Sequence, residues 1–508
     1  MDKFNFKILI IISFISFLTV SSSPLHPNVI IIGTGAAGIA AGTKLYENGI
    51  KNILWLEAEN RIGGRIDTRK FGVAHIDYGA QFCHGEKDNV VFEMANPLGL
   101  LEHSIFNFSN SDLLPDFYTP SGEMLPKIEV EKVNSLIEEV INDQVELGRF
   151  NGSVGQLLDL KFSEKLKNEL KNIDENICYY VKDWTNKSHL SNDASDNLYE
   201  LSAKRIAEYG ESEGDNGLNW KGRGYKTVLD LMMKKIPDPK NALPLDDKIL
   251  FNKEVVKIIW NSDPNPNEVT VKCADGSEYK ADHVIVTVSL GVLKERSDSL
   301  FQPKLPLAKI NAIQGIGFGI LNKLIFEFDH PWWSTDKLHN GFTFVWKENE
   351  FEEQVKKFNG SEESNRWLFD VLGFYPIERQ PNMLLGWIVS ESARHMEKIP
   401  ENEVKSKLIQ LMRIFLGRKF KIPEPTTFIR SQWFTNPHFL GSYSFHSMTT
   451  EKLNARPTDV AEPLKNSAGK DVITFAGEAT NPIHYATVHG AIETGWREAD
   501  RLLKLVRL

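Results

Sequence analysis

Three closely spaced glycines, an acid further on and a glycine pair between arginines are the residues of this chain best placed to hold a phosphorylated ligand. The glycines are Gly33, Gly35 and Gly38 in Gly33-Thr34-Gly35-Ala36-Ala37-Gly38, and Glu57 stands 19 residues beyond the last of them. In such a turn Gly33 permits the tight bend, Gly35 lets backbone approach a pyrophosphate, and Gly38 allows close contact between helix and sheet. The helix opening there offers free N–H groups and the positive end of its dipole to phosphates. A carboxylate at Glu57 accepts hydrogen bonds from ribose hydroxyls and disfavours a 2′-phosphate, which argues against NADP and leaves NAD and FAD. Arg61-Ile62-Gly63-Gly64-Arg65 follows directly. Its glycines bring backbone near the phosphates, Arg65 can pair with them in bidentate fashion, and the segment tips the choice towards FAD. Two further groups stand out by their surroundings: Lys323 interrupts a largely apolar run, Leu321 to Phe328, and His84 precedes Gly85. A lone strand lysine ordinarily turns to solvent, and a lone histidine is ordinarily a satisfied buried one.

A βαβ unit positions the glycine turn. Asn28–Ile32 is a β-branched run, the small-residue stretch to about Asn48 a helix, and Ile53–Leu56 a strand ending at Glu57; about thirty residues is the expected size. From Ser135 to Leu170 the pattern is helical and polar, and it stays irregular to about Asp215. A β-meander is expected over Glu254–Trp260, Glu268–Cys273 and Tyr279 onward, then a buried strand at His283–Val288. Further strands are expected at Asn322–Phe328 and Met383–Ser390, a helix at Glu401–Leu416, a buried strand at Asp471–Ala476 and a final helix at Val488–Leu505. At 508 residues the chain exceeds one ordinary hydrophobic core, so two domains or one large composite fold is expected. Apolar content of 41% and charged content of 25% are those of a soluble globular protein. A net charge of −9 argues against nucleic acid as a partner and suits a cationic ligand.

Lys3 and Lys7, the apolar run Ile8 to Val20, and Ser21-Ser22-Ser23 follow the order of a secretory signal. The 13-residue run falls short of the roughly 20 residues that span a bilayer. A cleaved signal over 1–23 and a secreted protein without a stable membrane span are therefore expected. Asn-x-Ser sequons at Asn107, Asn151, Asn186 and Asn359 suit that route. The three cysteines, Cys83, Cys178 and Cys273, have no metal-like spacing; buried free thiols and no bound metal are expected.

Several separated motifs, in one order from about Asn28 to Leu505, resemble the flavin-containing amine oxidases and most of all their polyamine oxidase branch, spermine oxidases included. Beyond the glycine fingerprint these are Asp77-Tyr78-Gly79-Ala80-Gln81-Phe82-Cys83-His84-Gly85, similar to the branch's Gly-Ala-Thr-Trp-Ile-His-Gly, and Gly315-Ile316-Gly317-Phe318-Gly319 leading to Asn322-Lys323. Pro331-Trp332-Trp333, Gly386-Trp387, Gly441-Ser442-Tyr443-Ser444 and Phe475-Ala476-Gly477-Glu478-Ala479-Thr480 complete the set, the last continuing into His489-Gly490-Ala491. The resemblance implies an α/β fold: a Rossmann-like FAD-binding domain from 27–105, 215–300 and 440–508, and a substrate domain of mixed sheet and helices from 106–214 and 301–439. It implies non-covalent FAD, because Ser442 stands where monoamine oxidases place the attaching cysteine. Gly79, Ala80 and Gln81 would line the cofactor, Val255 would meet the adenine through its backbone, and Glu478 would sit by the ribityl–pyrophosphate region. Val488 would give an N–H to the flavin ring, where a helix dipole stabilises the charge of a reduced flavin.

Carried over in the same way, Lys323 would hold a water against flavin N5 and His84 would lie near the substrate amine. The implied reaction passes hydride from the carbon beside a deprotonated amine to the flavin. The imine hydrolyses to an aldehyde and a shorter amine, and O2 is reduced to hydrogen peroxide. Tyr443 matches one wall of the family's aromatic cage. Thr487 replaces the tyrosine that monoamine oxidases and plant enzymes carry on the other wall, as in animal spermine oxidases, which favours a polyamine over a small aromatic amine. Glu211, Glu213 and Asp215 form either a receptor for a distal ammonium or a solvated acidic loop. L-amino-acid oxidases need an arginine soon after the Gly-Ala segment, and Gln81 to Gly85 has none. A flavin-binding protein without catalysis is the remaining alternative.

Overall fold

A computed structural model describes residues 28–71, 74–104, 114–262, 265–333 and 341–506. The secretory signal expected over 1–23 and the sequon at Asn107 lie outside the described residues.

The first strand, Val29–Ile32, is the hub of a six-stranded sheet. In spatial order the strands are Leu464–Lys465, Asp471–Phe475, His283–Val286, Val29–Ile32, Ile53–Leu56 and Ile249–Leu250. All neighbours are parallel except the first pair. Strands covered on both faces need apolar side chains on both, and every residue of Val29–Ile32, Ile53–Leu56 and His283–Val286 is buried. One face is covered by the helix Ala36–Glu47, which lies along the final helix Val488–Val506. The other carries the antiparallel meander Val255–Ile259, Val269–Cys273 and Glu278–Ala281, as its turn residues indicate.

A second six-stranded sheet runs Thr427–Arg430, Leu321–Glu327, Gln380–Val389, Gly373–Ile377, Phe342–Phe344 and Asp116–Tyr118. Its last pair is parallel and the others antiparallel, so the sheet is mixed. Alternation along Leu321–Glu327 sends Leu324 and Phe326 into a core with Phe374, Leu408 and Phe415. Ile325 turns the opposite way, onto Ile76 and Leu385, and by the same period of two Lys323 shares that face.

Two expectations need correction. The helical stretch from Ser135 to Leu170 is three helices, Lys127–Ile141, Gln144–Arg149 and Val154–Asn168, and the irregular stretch after it holds a 19-residue helix, Glu175–Asp193. Its buried face is Ile177, Cys178, Tyr180, Val181, Thr185 and Leu190 among polar neighbours. That thin stripe is stable because it packs on Lys127–Ile141 and on the sheet residues Phe117 and Val389. Tertiary contact, not propensity, makes it a helix.

Candidate active site

The glycine turn sits between the first strand and the helix Ala36–Glu47, as its spacing requires. A Cβ on Gly38 would meet the Gly33 carbonyl oxygen at 2.1 Å, so only glycine lets helix and turn approach this closely. Gly35 has no side chain to cap the helix, which leaves its first-turn N–H groups for a ligand. Glu57 is buried at the end of the second strand. Its Oε2 accepts from the Thr34 N–H at 2.8 Å and the Thr34 hydroxyl at 2.5 Å, and its Oε1 from the Glu59 N–H at 2.9 Å. A carboxylate offers about four acceptor directions, so three hold the turn and one remains for a ribose hydroxyl.

The Gly63-Gly64 segment is tied to the turn by the Gly63 N–H, which donates to the Thr34 carbonyl at 2.9 Å. Arg65 Nη1 donates to the Ser442 carbonyl at 2.7 Å and to Glu478 Oε1 at 2.8 Å. Glu478 Oε2 accepts in turn from the Ser444 hydroxyl at 2.5 Å and the Ala486 N–H at 2.9 Å. This buried carboxylate therefore joins the arginine loop, the Tyr443 segment and the approach to the last helix. Ala486, which the sequence did not single out, is held at φ +64, a left-handed conformation that non-glycine residues rarely adopt unless their surroundings impose it. A cleft lined by Arg65, Val288, Gly477 and Glu478 opens at the carboxyl ends of His283–Val286 and Asp471–Phe475, where open α/β sheets bind their ligands. The free helix start, the acid and the arginine loop fit a dinucleotide. Val255 lies on the meander at a β-bulge, and Val488 is the first residue of the final helix.

Lys323 is 4% exposed and points at the segment 77–81. Its Nζ donates to the carbonyls of Asp77 at 2.8 Å and Gly79 at 2.9 Å and to Gln81 Oε1 at 2.7 Å. An ammonium has three N–H groups, so the protonated lysine has none left for the water expected of it. Gln81, expected at the cofactor, is the third acceptor on this lysine, while the Ala80 N–H donates to the Arg65 carbonyl at 3.2 Å. Burial lowers the Lys323 pKa to about 8, with the Asp77 carboxylate opposing, and raises that of Asp77 to about 6.

His84 donates from Nδ1 to the Asn216 carbonyl at 2.7 Å, which fixes the tautomer and leaves Nε2 a bare acceptor. The ring is open to solvent on one side but enclosed by protein on the others, and that desolvation lowers its pKa. Tyr443 gives its hydroxyl proton to the Ser191 carbonyl. The Thr487 hydroxyl donates to the His484 carbonyl at 2.8 Å and accepts from the Gly490 N–H at 3.0 Å; it caps the last helix rather than offering a free group to substrate. Nor does the acidic cluster act as one receptor. Glu213 pairs with Lys87 at 2.9 Å and Asp215 with His103 at 2.8 Å, leaving exposed Glu211 beside Tyr209.

A parallel sheet with a glycine turn at its carboxyl edge, joined to a mixed sheet that delivers a buried lysine, defines a dinucleotide-dependent oxidoreductase. Residues 36–503 match the family described as flavin containing amine oxidoreductase, and the chain belongs to that family. It is an amine oxidase with FAD as its cofactor. The chain is 31% identical to human peroxisomal N(1)-acetyl-spermine/spermidine oxidase over 96% of its own length and 97% of the relative's. Probable polyamine oxidase 5 of Arabidopsis thaliana is 29% identical over 94% and 98%. A solved putrescine oxidase with putrescine bound shares the fold, with a TM-score of 0.66 at 18% identity over 94% of this chain and 99% of that one.

Proposed function

We propose that this enzyme oxidises polyamines, spermine or an acetylated polyamine among them, and releases an aldehyde, a shorter amine and hydrogen peroxide. FAD, when bound, would supply the two-electron acceptor for oxidation of the carbon beside the amine, with O2 as the final acceptor. The observation that carries the reading is His84, whose Nδ1 is held on the Asn216 carbonyl and whose Nε2 is left a neutral acceptor. A cation is welcomed by such a group, whereas the carboxylate of an amino acid would need a cationic partner, and Gln81 to Gly85 has none. Tyr443 offers an aromatic face for the amine, and Glu211 an exposed carboxylate. The relatives named for acetyl-spermine, spermidine and polyamine oxidation support the same substrate class.

The chain's own residues act as follows in this reading. The glycine turn, Glu57 and Arg65 bind the dinucleotide, the segment 77–81 and Lys323 lie along its ring, and the residues 27–105, 215–300 and 440–508 form the domain that holds it. His84 Nε2 accepts a hydrogen bond from the substrate nitrogen and helps to orient it. The reacting nitrogen must be unprotonated, so activity rises with pH on the alkaline side of neutrality. The leader pattern at 1–23 adds secretion to the proposal. The test is the visible spectrum of the yellow protein, recorded anaerobically with spermine, spermidine, N-acetylspermine, benzylamine and leucine in turn. Bleaching by the polyamines is expected; bleaching by leucine alone would overturn the assignment.

A further inference from the structure

The helix Glu175–Asp193 ends against the strand that carries Lys323. The Ala194 carbonyl accepts from the Ile320 N–H at 3.0 Å, three residues before the lysine. The contact is so close that a Cβ on Gly319 would meet the Ala194 oxygen at 1.5 Å, which only glycine avoids. Tyr443 closes the other side: its hydroxyl holds the Ser191 carbonyl and its own carbonyl accepts from the Gly319 N–H at 3.1 Å. The backbone on both sides of Asp193 is thus held, at Ser191 by Tyr443 and at Ala194 by the start of the lysine strand. Two more aromatic residues complete the enclosure, for Tyr209 meets Tyr485 edge-on at 5.1 Å and Tyr485 stacks on His446 at 4.3 Å. The Asp193 charge is felt at Tyr209, Tyr443 and Tyr485 alike. Among the described residues no donor reaches its carboxylate; the cation that acts on it is His189, one turn back and already on Glu138 at 3.1 Å. The helix also points the negative end of its dipole here.

A carboxylate, a helix C-terminus and aromatic faces together form a receptor for a cation, and the Asp193 carboxylate, half-buried and without a protein donor among the described residues, keeps its acceptor positions for such a ligand. Resting on the polyamine reading above, we propose that Asp193 takes the ammonium flanking the reacting nitrogen of a bound polyamine. This makes it a specificity residue: it favours substrates with a second charged nitrogen over monoamines.

The groups facing Asp193 are His189 on its own helix and Tyr209, Tyr443 and Tyr485 opposite, with Glu211 beyond Tyr209. The tyrosines are kept neutral by burial, so Asp193, held up at about 6 by its enclosure, and His189, raised by Glu138, are the members that titrate near neutrality. The experiment measures the Kd of spermine calorimetrically on FAD-loaded, dithionite-reduced protein under argon, where no turnover occurs, for wild type, Asp193→Asn and Asp193→Glu. Asp193→Asn should weaken binding by about 10-fold or more, Asp193→Glu should recover much of it, and benzylamine binding should change far less. Wild-type binding should weaken as pH falls through about 6, and Asp193→Asn should lose that step. Equal spermine affinity in wild type and Asp193→Asn would overturn the inference. Absence of any spermine binding or bleaching in wild type would instead overturn the polyamine reading.

Discussion

Lys323 on its strand and Asp193 beside that strand's start are met in opposite ways. Lys323 is met by three acceptors, Asp77, Gly79 and Gln81, so the protein itself completes its shell. Asp193, one residue before the carbonyl that meets that strand's start, has aromatic neighbours and no donor among the described residues. A completed charge is part of the framework and tunes what lies beside it; an incomplete one waits for a ligand. The contrast separates the side of the site built for the cofactor ring from the side built for the substrate.

Replacing Lys323 with Met should produce the largest effect. The protein should stay yellow while turnover falls by about 100-fold or more, and three part-buried acceptors lose their donor, at a cost of up to about 1–3 kcal/mol for each one left unsatisfied. Stopped-flow reoxidation and thermal unfolding check the two halves; unchanged turnover would remove Lys323 from the chemistry. Asp193→Asn should behave oppositely, with the melting temperature of the substrate-free protein held or raised while polyamine specificity falls. A marked loss of stability would mean that Asp193 belongs to the framework after all, and the contrast would fail.

Acid should sharpen the distinction. The folded pKa of Asp193, about 6, lies above its ordinary value of 3.8, so its stabilising protonation is complete below the lower value and is lost as pH rises through the upper one. Lowering pH from 7.5 to 5 should therefore stabilise wild type relative to Asp193→Asn by about 1 kcal/mol, read from paired denaturant titrations. Asp77, also raised to about 6, cancels in that difference. The smallest effect is expected of Gln81→Ala. Removing one of three acceptors disfavours the ammonium, so the limb of the pH profile set by Lys323, near pH 8, should move to lower pH by less than a unit. A limb that stays put would show that Gln81 does not tune the lysine.

Much of the dinucleotide half was legible because its signals are local. Gly33, Gly35, Gly38 and Glu57 lie within one βαβ unit, and buried parallel strands such as His283–Val286 announce themselves as unbroken apolar runs. The substrate half was harder to read. The helix Glu175–Asp193 has a thin apolar stripe, and the short strands Asp116–Tyr118 and Phe342–Phe344 carry too few residues for a period to show. Asp193 left no signal in the chain beyond being one acid among many.

What the sequence alone determined is the turn, its helix, its acid and the types of the reacting groups, because each depends on backbone freedom or periodicity over a few neighbouring residues. Only the tertiary structure decided how the charges are met. It turned Lys323 from solvent onto Gln81, drew Glu213 and Asp215 to Lys87 and His103, and left Asp193 open among tyrosines. Those outcomes depend on which distant segments pack together, and a hydrogen-bond partner over a hundred residues away is fixed by packing rather than by any local pattern.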